Sequence, residues 1–396
     1  RIRKAALAGA AVVVLNAVDY DFNFPVAQKI IVPPSQITAA LGAIAKFANA
    51  DVEIKQNVRE ELENFAVASA HESLVGRLLE ANSAVVVTGN FAQRHGDYGQ
   101  ISALAELIAR AVSTNLGQLT DGANSAGGWL AGAVPHRGPG GRKLAASGSN
   151  GNRMFDAPMD AYLLLGLEPE LDCLQSQKTI DALRGAFVVS LTAFTSASLE
   201  MTADLLLPIA AFAENEGSYV NALGDWQSFE PAVRPPGDAR PAWKVIRVLG
   251  GRLSLPGFKA IRCADVTSDI AALCDGAEKP SCELGKLAIE APREASDKPE
   301  AIVEIPLYAV DSLVRHGQAL QQTPQPAIDC VYLNSATLKQ LGLRLDDRAI
   351  VKGDGAETIM NVAVDESVSD ASYVIYAAHP AATAFSGAAK IKISKA

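Results

Sequence analysis

The sequence predicts an α/β protein whose parallel sheets carry helices on both faces, followed by a small β-rich, barrel-like unit at the C-terminal end. Three observations predict it. Short apolar runs alternate with helical patterns through the first two-thirds of the chain, and repeated strand–helix units give parallel sheets. The 396 residues, 49% hydrophobic and 20% charged, suit an ordered chain with more than one buried core. From Ile302 onward short alternating runs replace the helical patterns.

In chain order, residues 1–18 carry basic residues and then an apolar run, which imitates an export signal. Asn16 and Asp19 break the run, so it reads as a helix end leading into a buried strand. With Arg1 rather than Met in first place, the chain reads as a fragment or a processed product. Residues 37–48 have small and apolar residues at helical spacing. The spacing predicts a single helix over 61–79, with Phe65, Val67, Leu74 and Leu78 facing the core. Residues 84–88 form a β-branched run ending at Gly89, followed by a helix over 100–112. Further strands are predicted at 161–166, 186–191 and 203–208. Toward the end, strands at 331–333, 349–352, 358–364 and 373–377 alternate with turns such as Asp354-Gly355, and a short helix spans 335–341.

This divides the chain into residues 1–80 and 156–251 as parts of one α/β domain and 81–155 as a second. A charged connector over 252–300 then leads into the β-rich unit of 301–396. Open parallel sheets bind ligands outside the carboxyl ends of their strands. The loops after Gly89, Gly166 and Leu191 are therefore the places to look. The glycine-rich stretch 117–152 is a long loop of the kind that is often functional.

A net charge of −9 argues against a nucleic-acid partner, because phosphate binding needs clustered Lys and Arg. No basic run forms a membrane-surface patch, and no apolar run reaches the roughly 18–20 residues of a membrane helix. Direct membrane insertion is therefore not expected. The five cysteines, Cys173, Cys263, Cys274, Cys282 and Cys330, are widely spaced and form none of the close pairs of zinc or iron–sulfur sites. They read as reduced thiols of a cytoplasmic protein.

Gly89, Gly96 and Gly99 miss the spacing of a dinucleotide fingerprint. Gly138-Pro-Gly-Gly-Arg-Lys143 imitates a phosphate loop but lacks the Gly-Lys-Ser/Thr ending. His95 and Asp97 could relay protons, yet read better as a surface hydrogen bond. His136 and Arg137 could meet an anion, with equally little support, while His71, His316 and His379 stand isolated in sequence. Trp129, Trp226 and Trp243 read as packing or interface anchors. No catalytic, cofactor-binding or metal-ligating residue is assigned.

One ordered set of motifs is more specific. Ala203-Asp-Leu-Leu-Leu-Pro208 is followed by Glu214-Asn-Glu-Gly-Ser-Tyr-Val-Asn-Ala-Leu-Gly224, then Trp226-Gln-Ser-Phe229, then Arg234-Pro-Pro-Gly-Asp-Ala-Arg-Pro-Ala-Trp243. This order resembles the molybdopterin oxidoreductase superfamily. Val85-Val-Val-Thr-Gly89, the stretch Asp121 to Pro135 and Leu163-Leu-Leu-Gly-Leu-Glu-Pro-Glu-Leu171 narrow the resemblance. They are similar to the large iron–sulfur (G) subunits of NADH:quinone oxidoreductase, respiratory complex I.

The resemblance implies a cytoplasmic peripheral arm, other complex I subunits as partners, and iron–sulfur clusters held in an N-terminal region with no counterpart among these residues. Family members commonly carry Glu and Arg around the Asn-x-x-Gly turn. Here Leu223 and Asp225 stand there, and an aspartate repels phosphate at close range. Molybdopterin is accordingly expected to be absent, and the segment is expected to be a scaffold without its own catalytic centre. The alternative is a molybdenum or tungsten bis-pterin oxidoreductase holding its cofactor on the glycine-rich loops.

Overall fold

Apolar residues at three- and four-residue spacing build the first helical layer. The computed structural model describes residues 1–50, 53–173, 175–275, 289–293, 296, 298–323, 328–353, 356–379, 382 and 391–396. Helix Ile37–Ala48 packs on helices Ser69–Glu80 and Tyr98–Ala111. Their buried faces meet in a cluster of Ile44, Leu62, Phe65, Leu74, Val75, Leu104 and Ile108. Each such side chain, fully buried, contributes about 1.5–3 kcal/mol. Against this layer lie two short parallel pairs: β1 (Val13–Asn16) with β2 (Gln28–Ile31), and β3 (Val86–Thr88) with β4 (Leu116–Gln118).

The helix predicted over 61–79 is in fact two, Gln56–Leu62 and Ser69–Glu80. Between them the chain turns Phe65 inward, where it is only 1% exposed. Its ring lies against Gly42, where a Cβ atom would come within 2.1 Å of it. A continuous helix would give up this insertion.

A three-stranded parallel sheet follows, in the order β5 (Ala161–Leu165), β6 (Phe187–Thr192), β7 (Leu205–Pro208). One face buries Tyr162, Leu164 and Val188 with Leu183 and Leu199 from its connecting helices. The other face exposes Leu163, Leu165, Phe187 and Leu205. After β7 an antiparallel hairpin forms from β8 (Gly217–Val220) and β9 (Trp226–Phe229).

The C-terminal unit is a six-stranded mixed sheet. Its strands are β10 (Glu300–Glu304), β11 (Cys330–Leu333), β12 (Arg348–Gly353), β13 (Ala356–Val364), β14 (Ser372–Tyr376) and β15 (Lys392–Lys395). They lie in the order β10-β14-β11-β13-β12-β15 around a core of Val331, Leu333, Val351, Met360, Tyr373 and Ile375. Helix Ser335–Gln340 follows β11, capped by Asn334 Oδ1, which accepts from the Thr337 N–H at 2.8 Å. The expected turn at Asp354-Gly355 and Cys282 lie outside the described residues. Ala17, Val18, Ile302, Val368 and Val374 pack this sheet onto the N-terminal strands.

Candidate functional site

Parallel sheets bind ligands outside the carboxyl ends of their strands, and the carboxyl ends of β5 and β6 lie side by side. Glu168 stands three residues past β5 and precedes the short helix Pro169–Asp172. Phe194 stands two residues past β6, with its carbonyl accepting from Thr192 Oγ1 at 2.5 Å. Arg315 and the half-exposed His316, at the end of helix Ser312–Arg315, pack against these strand ends. Asp311 caps that helix, its Oδ1 accepting from the Val314 N–H at 3.0 Å.

Arg315 Nε donates to Glu168 Oε2 at 2.7 Å, and Nη2 donates to Asp172 Oδ1 at 2.7 Å. Nη1 donates to the Ala309 carbonyl at 3.0 Å. His316 Nε2 lies 2.8 Å from Glu168 Oε1, so both oxygens of Glu168 are engaged. The His316 ring stacks on Phe194, with centroids 4.5 Å apart and planes 8° from parallel. The Glu168 side chain is 2% exposed and that of Arg315 9%. Charges survive such burial only when paired and hydrogen-bonded, and a planar guanidinium can fork two carboxylates as a point-charge ammonium cannot. Next to this cluster the Ser198 hydroxyl donates to Glu170.

The segments after Gly166 and Leu191 are joined through His316, which touches Glu168 on one side and Phe194 on the other. His316, isolated in sequence, is not isolated in the fold. Its stacking and its contact with Glu168 correct that reading, because 148 residues separate the partners. No local pattern marks Arg315 or Phe194 for this place. The only sequence signal was the position of the two strand ends.

The loop after β3 is built differently. Arg94 Nη2 reaches both oxygens of Asp121, at 3.1 and 3.2 Å, across the β3–β4 end. His95 Nδ1 accepts the Asp97 N–H at 3.0 Å, so Nε2 carries the ring proton and donates to the Pro34 carbonyl at 3.0 Å. Asp97 is held by Arg293 at 2.5 Å. Both nitrogens of His95 are committed to backbone, which leaves no proton relay. The pair is largely buried rather than at the surface, with side chains 10% and 12% exposed.

In the glycine-rich stretch, Gly140 and Gly141 have φ of +70° and +71°. A Cβ at Gly140 would lie 2.5 Å from the Leu273 carbonyl oxygen, and one at Gly141 2.1 Å from the Trp129 ring. These glycines let the loop close onto helix Cys263–Cys274 and onto Trp129. Close packing accounts for them. Arg137 is half-buried and donates to the His136 carbonyl at 3.0 Å.

In the β8–β9 turn, Asn221 Oδ1 accepts from the N–H groups of Leu223 and Asp225, at 2.9 and 3.0 Å. Asn221 Nδ2 donates to Asp225 Oδ2 at 3.0 Å. The turn is closed by its own side chains. Below it Phe212, Tyr219 and Phe229 form an aromatic cluster. Burial pushes the thiols of Cys173, Cys263 and Cys330 above their ordinary range, the opposite of activation. Among the described residues, no group of three or more His, Cys, Asp or Glu is placed to hold a metal ion, and no helix is long and apolar enough to cross a membrane.

The molybdopterin oxidoreductase family profile matches residues 1–252. Among curated proteins, the chain is 30% identical over 185 residues to the mitochondrial NADH dehydrogenase (ubiquinone) iron-sulfur protein 1 of Solanum tuberosum, covering 43% of this chain and 25% of that protein. It is 32% identical over 185 residues to the G subunit of the NADH-quinone oxidoreductase of Mycobacterium bovis, covering 40% of this chain and 22% of that protein. The alignments span about a quarter of the length of these relatives. They bear out the resemblance to G subunits read from the sequence. Among solved structures, acetylene hydratase from Pelobacter acetylenicus superposes with a TM-score of 0.62 at 14% identity, covering 97% of this chain and 70% of that one. At that identity the likeness speaks for the fold alone. With its profile matched over residues 1–252 of 396, the chain belongs to the molybdopterin oxidoreductase family.

Proposed function

We propose that this chain is the scaffold part of a G-type subunit of NADH:quinone oxidoreductase, supporting electron transfer from NADH to quinone without a catalytic centre of its own. The observation that carries this reading is a family match, joined to G-type relatives, in a fold whose Asn221 turn and Gly140–Gly141 loop are closed by the chain's own groups. Its partners would be the other peripheral-arm subunits, on the cytoplasmic side of the membrane. Iron–sulfur clusters belong, by resemblance, to another part of such subunits, and none of the cysteines here is assigned to them.

The fold family implies a pterin dinucleotide, and the residues present do not fit one. Anion binding at a turn uses free backbone N–H groups and a nearby cation. Asn221 already takes the N–H groups of Leu223 and Asp225, and the Asp225 carboxylate is placed beside them. The loop at Gly140 and Gly141 is closed against Leu273 and Trp129. These features support a fold retained without its cofactor.

Deleting the segment from the native subunit tests the reading. Loss of the assembled peripheral arm on native gels, with loss of NADH:quinone activity, is the expected result. A deletion strain that assembles a fully active complex overturns it.

A further inference from the structure

We propose that the end of helix Ala242–Arg252 and the loop that follows it, to Arg262, form a docking surface for a folded protein partner whose apolar pocket is rimmed by Asp and Glu side chains. The inference deepens the scaffold reading and rests on it for the kind of partner, another subunit of the same complex.

Charge is unevenly placed here. No Asp or Glu stands between Asp238 and Asp265, whereas Arg240, Lys244, Arg247, Arg252, Lys259 and Arg262 do, in a chain of net charge −9. Lys244 lies 3.8 Å from Glu216, and Arg262 pairs with Asp265 at 2.8 Å. Arg252 and Lys259 have no ion pair among the described residues. In the same stretch Leu253 and Ile261 are 70% and 77% exposed, and Val248 and Leu255 are half-exposed. Single exposed aliphatic residues are ordinary on a monomer; several on one short loop, beside unpaired cations, suit an interface.

The loop presents these side chains in a fixed shape. The Ser254 N–H donates to the Gly251 carbonyl at 3.1 Å and the Leu255 N–H to the Gly250 carbonyl at 2.9 Å. Ser254 takes a φ of +57°, which costs a residue with a Cβ. The Phe258 ring folds back onto Gly250, where a Cβ atom would come within 2.3 Å of it. Arg247 Nη1 donates to the Ala260 carbonyl at 3.2 Å, and Asp265 Oδ2 accepts from the N–H groups of Ile261 and Arg262, at 3.1 and 2.8 Å. Phe258, Arg247 and Asp265 hold the loop, and the exposed aliphatic side chains are left over for a partner. A loop shaped in advance loses little freedom on docking.

Two other occupants fit less well. A second copy meeting this loop about a twofold axis would set cations against cations. An anionic lipid surface draws on a cluster of about 4–8 Lys or Arg, and only Arg252 and Lys259 are unpaired in residues 251–262. An apolar protein pocket with carboxylates at its rim answers both features: it buries the aliphatic side chains and meets the cations with opposite charge.

The test uses the native complex and the purified chain side by side. The double variants Leu253→Glu with Ile261→Glu, and Arg252→Glu with Lys259→Glu, are each expected to melt as the parent chain does. Each is expected to reduce the subunit retained in the assembled arm on native gels several-fold. With benzoylphenylalanine in place of Leu255, irradiation of the native complex is expected to join this chain to another polypeptide, at a peptide that contains Asp or Glu. A cross-link only to lipid, only to a second copy or to this chain itself, or to nothing, overturns the proposal. Normal retention of both double variants, where the deletion strain fails to assemble, overturns the docking surface and leaves the scaffold reading standing. Normal assembly of the deletion strain removes the scaffold reading, and the cross-link then decides the docking surface alone. Should the double variants not fold, the cross-link decides it equally.

Discussion

An arginine is held on carboxylate oxygens in two places, Arg315 on Glu168 and Asp172 beyond β5 and Arg94 on Asp121 beyond β4, in opposite surroundings. Arg315 and Glu168 are 9% and 2% exposed, whereas Arg94 and Asp121 are 45% and 47% exposed. Coulomb attraction in water is weak and screened, so an exposed pair contributes about 0–1 kcal/mol. A buried pair adds little net stability as a unit, but removing one partner strands the other charge and costs about 3–5 kcal/mol. Related pairings thus carry unequal consequences, and burial is the main reason the two clamps differ in weight.

The largest effect that would expose this difference is Arg315→Ala, expected to lose about 3–5 kcal/mol in urea unfolding. A loss under about 1 kcal/mol would make the two clamps equivalent. Gly141→Ala comes next. Its Cβ would meet the Trp129 ring in a positive-φ backbone, and strain of about 1–3 kcal/mol should lower the melting temperature. Asp311→Ala removes the cap of the helix that carries Arg315, at about 1 kcal/mol, and should loosen residues 307–321 before the sheet in hydrogen exchange. Arg94→Ala is the matched control and should stay within about 1 kcal/mol of the parent.

A smaller, pH-graded effect lies outside both clamps. Burial, and then Asp365, raise the Glu304 carboxyl above its ordinary range, next to the Tyr20 hydroxyl that bonds it. A carboxyl raised in the folded state contributes stability that is fully present below its unfolded value and is lost as pH rises through the folded value. Glu304→Gln should flatten the stability–pH profile just above the ordinary carboxylate range. An unchanged slope there would remove Glu304 as its source.

Strands β5, β6 and β7 were legible because parallel strands are written as near-continuous apolar runs, as in Tyr162 to Leu165 and Val188 to Leu191. The break between the helices ending at Leu62 and starting at Ser69 was not, since Phe65 keeps helical spacing while serving a tertiary contact with Gly42. The hairpin β8–β9 was visible as an ordered motif and not as strands, because its turn chemistry belongs to Asn221 and Asp225. The glycine-rich loop suggested an anion site by composition, whereas Gly140 and Gly141 answer to packing. Of the Glu168–Arg315–His316 cluster, only the neighbouring strand ends were legible. Arg315 lies 147 residues from Glu168, and no periodicity reports a contact of that separation.

Quantifying molybdenum and tungsten in the intact native subunit, against the protein concentration of the assembled complex, tests the central claim most directly. Neither metal is expected in stoichiometric amount, with iron confined to the cluster-bearing part. One equivalent of either molybdenum or tungsten per chain would contradict it and return the fold to cofactor chemistry.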